Sequence, residues 1–117
     1  MPSHTDPNNS NVLVAPDRVY LIDWDGVMLS DPLRDIALIL WWYVPPERGE
    51  AILQRCWLPD AASAATIDRV FWWAAVSSLR VALWIDRQAR GDDAIRSFLA
   101  DFIAAAHGLP NPRRLTP

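Results

Sequence analysis

The chain has 117 residues, of which 51% are hydrophobic and 21% charged, and its formal net charge is −3. Surface scaling for a globule of this size gives about 6,400 Å² exposed, against roughly 19,000 Å² for the extended chain, enough for one domain with a core and too little for two. The apolar content excludes a disordered chain, the acidic balance excludes a protein that wraps nucleic acid, and the single cysteine, Cys56, excludes a disulfide scaffold.

The polar N-terminus has no apolar signal core, so no export signal is read there. The apolar run at 36–44 is far shorter than the ~20 residues that cross a bilayer, and the run at 70–85 is broken by Ser77, Ser78 and Arg80. A cytoplasmic protein with no membrane or nucleic-acid partner is the expectation. All eleven basic residues are arginine, and no two of the four glycines lie close together. A glycine-rich phosphate loop with its lysine cannot be assembled from this inventory.

Taken in order, residues 1–11 read as a polar loop. Residues 11–23 read as a hairpin, with strands at 12–14 and 19–22 and turn chemistry at 15–18. A second loop covers 24–30. Asp31-Pro32 has the form of an N-cap with proline at the first helical position, and the helix it opens is expected to run to about Val44, where Pro45-Pro46 stops it. A second helix is expected from Pro46 to about Trp57, with a linker around Pro59.

A long third helix is expected over 64–90. On its wheel Thr66, Arg69, Ser77, Arg80, Arg87 and Gln88 share an arc of about 100°, so most of its circumference is apolar and it should lie deep in a helical layer. Trp73 and Trp84 fall inside the polar arc, where arginine stems can cover them. Trp41, Trp42, Trp72 and Trp73 are expected in the core. A fourth helix runs from Asp92 to about His107, and His107 in its last turn is favoured by the helix dipole. Residues 109–117 hold three prolines and are expected to fray. The whole is one α+β domain, mainly helical: a hairpin with its flanking loops (1–37) on a bundle of about four helices (38–108).

Charge concentrates at the start, where residues 1–35 carry Asp6, Asp17, Asp23, Asp25, Asp31 and Asp35 against two arginines. Turn and capping chemistry account for Asp17 and part of Asp31. If Pro16-Asp17-Arg18 forms a three-residue turn, Val12 faces Ile22 and Asn11 faces Asp23, which sets an amide oxygen beside a carboxylate. Asp6, five residues earlier, can loop back to the same point. Hard oxygen ligands so placed suit Mg²⁺, which takes one or two carboxylates and completes its octahedron with phosphate and water. A one-residue slip would separate the pair.

The segment His4-Thr5-Asp6-Pro7-Asn8-Asn9-Ser10-Asn11 fits H-x-D-x-x-x-x-N. Leu21-Ile22-Asp23-Trp24-Asp25 follows, and then Ser30-Asp31-Pro32-Leu33-Arg34-Asp35-Ile36-Ala37. In this order they resemble the aminoglycoside phosphotransferase and choline kinase family, whose fold is protein-kinase-like. The resemblance is specific over residues 4–37. It implies Asp6 as the catalytic-loop aspartate, Asn11 and Asp23 as Mg²⁺ ligands, and His4 as a structural member of the loop. It further implies Asp35 as the loop-bracing aspartate and Asp25 as an auxiliary acid. Pro7 departs from the aliphatic residue usual after the catalytic aspartate.

The activity implied is transfer of the γ-phosphoryl of ATP to a hydroxyl of a small molecule, with Mg²⁺ as cofactor. The acids would suit a cationic acceptor, an aminoglycoside or an amino alcohol. In the family an upper lobe supplies the nucleotide-binding sheet and lysine. The chain is therefore expected to be a truncated lower lobe, inactive alone. The alternative is a non-catalytic helical remnant, whose exposed apolar surface a missing lobe, a second copy or another partner would cover.

Overall fold

The computed structural model describes residues 1–56, 63–89 and 91–114. Its longest element is α3 (Ala64–Arg87), which Ser63 caps by accepting the Thr66 N–H on its hydroxyl at 3.2 Å. At 24 residues it is about 36 Å long, close to the 39 Å longest dimension of the molecule. Two helices lean on it: α1 (Leu33–Trp42) and α4 (Asp92–Ala106), while the short α2 (Pro46–Arg55) packs on α1. Gly91, with φ of +58°, supplies the backbone reversal just before α4.

The face that α3 buries is made of small residues: Thr66, Ala74, Ala75, Ser77, Ser78 and Ala82, with Ile85. Short side chains let the neighbouring helices approach, and large ones from those neighbours fill the space. Trp41 of α1 thus packs with Ala74, Ala75, Ala104 and Ala105, flanked by Trp42, Phe71 and Phe102. A second cluster joins Leu33 and Leu53 to Ile36, Leu40, Ile67, Val70 and Trp73. The expected wheel is corrected here, because Thr66 and Ser77 of the polar arc are buried while Trp72 is 57% exposed and not core. The arginine cover expected for Trp73 is present, with the Arg34 guanidinium 5.3 Å from its ring centroid.

The segment after α4 is docked rather than frayed through residue 114. Asn111 is buried and donates from Nδ2 to the Trp41 carbonyl at 2.7 Å. Arg113 Nε reaches Asp101 at 2.8 Å, and Asp101, fully buried, also accepts the Trp42 indole N–H at 3.1 Å. Proline supplies stiffness here, and the buried amide and carboxylate supply the anchor. The residues from 57 to 62, including the end expected for α2 and the Pro59 linker, lie outside the described residues, as do 115–117.

At the N-terminus two small antiparallel sheets flank the site. The strands β2 (Val12–Val14) and β3 (Val19–Leu21) form the expected hairpin, and Pro2–Ser3 (β1) pairs with Met28–Leu29 (β4), which was read as loop. The hairpin register is Val12 with Leu21, Leu13 with Tyr20 and Val14 with Val19. This is one residue away from the expected pairing. The Ala15 N–H donates to the Arg18 carbonyl at 2.9 Å, so the loop is Pro16-Asp17 alone and not three residues. Asn11 therefore opposes Ile22, and the pairing argument for Asn11 beside Asp23 does not hold.

Asp31 ties this end to α3. Its carboxylate accepts the Leu33 N–H at 2.9 Å and two guanidinium N–H groups of Arg69, at 2.6 and 3.1 Å. Partial burial pushes its pKa upward, but the Arg69 hydrogen bonds, the Leu33 N–H and the Arg69 charge outweigh burial and leave it below the ordinary 3.8. A depressed carboxylate stabilises the fold above its unfolded pKa and loses that contribution as pH falls through the folded one. Arg69→Gln should therefore lower the melting temperature near neutral pH, and the gap to wild type should close as pH drops below 3.8. Thermal unfolding followed by circular dichroism across pH checks this, and a pH-independent gap would refute the assignment.

Candidate active site

The site is built outward from the first turn of α1. Asp35 there accepts three donors from the chain's beginning: Ser3 Oγ at 2.9 Å, the His4 N–H at 2.6 Å and the Thr5 N–H at 2.9 Å. Charge-assisted bonds of this kind are the strong ones, and they fix the backbone just before Asp6. Asp35 thus ties the segment before Asp6 to α1.

His4 is buried with both ring nitrogens in use. Nδ1 accepts the Asp6 N–H at 3.3 Å, which leaves Nε2 to donate to the Ile22 carbonyl at 2.7 Å. Its ring meets Trp24 edge-on, with centroids 4.7 Å apart. An imidazole spent on two backbone bonds is a brace between the loop of Asp6 and the loop of Asp23, not a base.

A second link joins the same two loops. Thr5 has φ of +74°, a conformation that β-branched residues rarely adopt, and its Oγ1 donates to the Gly26 carbonyl at 3.1 Å. A Cβ on Gly26 would stand 2.7 Å from that same Oγ1, so glycine is what lets the loops close. Neither residue was singled out from sequence. A threonine at positive φ leaves no trace in composition or periodicity.

Asp6 itself is exposed, with its carboxylate held from one side. Asn8 Nδ2 donates to its Oδ1 at 2.9 Å, and Asn8 is fixed in turn by accepting the Ser10 N–H at 2.8 Å and the Ser10 hydroxyl. Asn11 is buried and turns its Nδ2 to the Asp6 carbonyl at 2.9 Å and to Oδ2 at 3.5 Å. Asp6 does loop back to Asn11, as expected from their spacing. Pro7 is buried, so it fills the apolar place despite its different shape.

Asn11 thus spends its amide N–H on the loop, and its Oδ1 accepts no hydrogen bond among the described residues. Asp23 follows β3 in the left-handed region, with φ of +64°, is exposed, and its carboxylate makes no capping bond. The indole of Trp24 holds the turn by donating to the Leu21 carbonyl at 2.7 Å. Asp25 is exposed in the same 3₁₀ turn. An uncommitted amide oxygen and an uncommitted carboxylate suit a divalent cation that keeps phosphate and water as its other ligands. No group of three or more His, Cys, Asp or Glu side chains that could hold a metal occurs among the described residues.

A cleft of about 710 Å³ opens beside Asp6. The loop of Thr5, Asp6, Pro7 and Asn8 forms one wall, and α1, α3, α4 and the last turn supply the rest, including Trp42, Tyr43, Arg80, Trp84, Phe98 and Arg113. Its size lies within the ordinary range for small-molecule sites. Trp84, in the polar arc of the α3 wheel, lines this cleft.

The site thus combines a helical layer, a braced loop that carries Asp6 into a cleft, and uncommitted oxygen atoms on Asn11 and Asp23. A sequence model described as the phosphotransferase enzyme family, APH, matches residues 2–116, and the chain belongs to that family. Two proteins named Protein LicA, one from Haemophilus influenzae strain ATCC 51907 / DSM 11121 / KW20 / Rd and one from Haemophilus influenzae, are each 46% identical over 39 residues. That stretch is 33% of this chain and only 15% and 12% of those proteins.

The two-loop link is testable by a double-mutant cycle. Gly26→Ala should cost about 1–2 kcal/mol through overpacking against Thr5, and Thr5→Gly should relieve most of it by removing the hydroxyl and accepting the positive φ. Urea unfolding of the two single variants and the double variant measures the coupling. Strict additivity would show that the link carries no energy.

Proposed function

We propose that this chain takes part in ATP-dependent transfer of the γ-phosphoryl group to a hydroxyl of a small molecule. The observation that carries the reading is the Asp6 carboxylate at the cleft, on a loop braced by Asp35 and His4, with Asn11 bonded to it and its Oδ1 uncommitted, and with the uncommitted Asp23 carboxylate on the loop that His4 ties to the Asp6 loop. Asn11 and Asp23 would hold Mg²⁺, which when bound neutralises the ATP phosphates. Asp6 orients the acceptor hydroxyl and takes its proton. The acceptor oxygen bonds to the γ-phosphorus, the bond from that phosphorus to the ADP oxygen breaks, and the proton passes on to water.

His4 and Asp35 support the loop in this scheme, and Asp25 adds negative charge near the cation. The chain has no lysine for the phosphates, so turnover by these 117 residues alone is expected to be slow. No described helix is long and apolar enough to cross a membrane, and a cytoplasmic setting, where ATP is abundant, suits the reaction. Calorimetric titration with Mg²⁺–ATP tests the reading. Wild type should bind at millimolar nucleotide, Asp23→Ala should lose binding, and Asp6→Asn should keep it while losing transfer. No binding by a chain that circular dichroism shows to be folded would sink autonomous nucleotide binding.

One observation favours the second reading, a helical remnant in self-association or partner binding. The hairpin and β4 expose Leu13, Val14, Val19, Tyr20 and Leu29 by 48–81%, and a two-stranded hairpin is marginal unless something covers it. Sedimentation equilibrium should then show concentration-dependent mass that Val14→Asp with Val19→Asp abolishes. A monomer at all concentrations would remove this reading.

A further inference from the structure

The cleft beside Asp6 contains a cation that the fold does not neutralise. Arg113 is paired with the buried Asp101 at 2.8 Å, and its guanidinium lies 4.1 Å from the centroid of the Phe98 ring. Arg80 also lines the cleft, is exposed, and makes no ion pair among the described residues. One turn before the cleft residue Leu38, Arg34 is 6% exposed with an unpaired Nε and no carboxylate at ion-pair distance among the described residues; burial disfavours its charge, the Arg80 charge adds to that, and the Asp35 charge opposes it in part. Two guanidiniums that repel each other are jointly stabilised by an anion and opposed by a further cation.

Three of the six acids that pointed toward a cationic acceptor are spent. Asp17 pairs with Arg18, Asp31 with Arg69, and Asp35 with three loop donors. Two aromatic faces that could hold an organic cation are also occupied, Phe98 by Arg113 and Trp73 by Arg34. Among the described residues Asp6 is the one acid that lines the cleft, and Asn8 and Asn11 already donate to it.

We propose that the cleft takes a small hydroxyl compound that itself carries an anionic group, a phosphate or a carboxylate, with the anion on Arg80 and the hydroxyl toward Asp6. The placement of the hydroxyl rests on the phosphotransferase reading, whereas the anion site at Arg80 stands without it. A forked guanidinium matches either anion through two parallel hydrogen bonds.

The test follows the indole N–H signals of Trp42 and Trp84 in ¹⁵N-labelled full-length chain, assigned with Phe substitutions. Glycerol 3-phosphate, glycerate and choline are titrated separately at millimolar concentrations. One or both anions should shift the signals while choline does not, and the stronger anion identifies the group. Arg80→Gln should weaken that binding by about tenfold or more, and Arg80→Lys by less. Shifts from choline without shifts from the anions would overturn the proposal, as would equal binding by Arg80→Gln or no binding by chain with a folded spectrum. A parallel Mg²⁺–ADP titration of wild type and Asp23→Asn separates the two claims. Absent nucleotide binding beside intact Arg80-dependent anion binding removes the phosphotransferase reading alone, and the reverse pattern removes only the anion site.

Discussion

Three donors from the first five residues converge on one carboxylate, Asp35, and the site hangs from that convergence. The carboxylate stands on the first turn of a helix whose other faces are locked into the core through Leu33, Ala37 and Trp41. Negative charge there is favoured by the helix dipole, and the acceptor is rigid because the helix is. A polar segment with little apolar surface of its own thereby acquires the precision of the core. His4 passes it on through the Ile22 carbonyl to the loop of Asp23. Without the helix turn beneath it, nothing else among the described contacts would hold the backbone of residues 3–5 so firmly.

The helical layer does for the cleft what Asp35 does for the loop. Small residues along α3 let α1 and α4 approach, and Trp41 fills the space between them. Trp42 of α1, Trp84 of α3 and Phe98 of α4 line the open cleft at the edge of this layer. Asp101 and Asn111 then fasten the segment after α4 against the same helices, which brings Arg113 into the wall.

Legibility from sequence tracked how local the determining physics was. Helix limits followed from capping residues and prolines, and α1, α3 and α4 lie within a few residues of expectation. Asp35 and His4 are legible because a spaced motif carries them, and in the structure both hydrogen-bond to the backbone of the Asp6 loop. The hairpin register was missed because one hydrogen bond, Ala15 to Arg18, decides between a two-residue and a three-residue loop with identical composition. The β1–β4 pair was missed because two-residue strands have no period to read. Trp72 and the docked segment at Asn111 were misjudged because side-chain size and tertiary partners overrode hydropathy and proline content. Which acids pair is not legible in an acid count, because Asp17, Asp31 and Asp35 find their partners through local turns and tertiary contacts.

The closure of Thr5 on Gly26 also has a meaning for descent. Two positions 21 residues apart share one small volume, so neither can drift alone. A lineage that enlarges the residue at 26 must first have lost the hydroxyl at 5, and a lineage that keeps threonine at 5 is confined to glycine at 26. The loop of Asp6 and the loop of Asp23 are therefore inherited as a pair, and an exchange of either one between relatives would succeed only if its counterpart travelled with it.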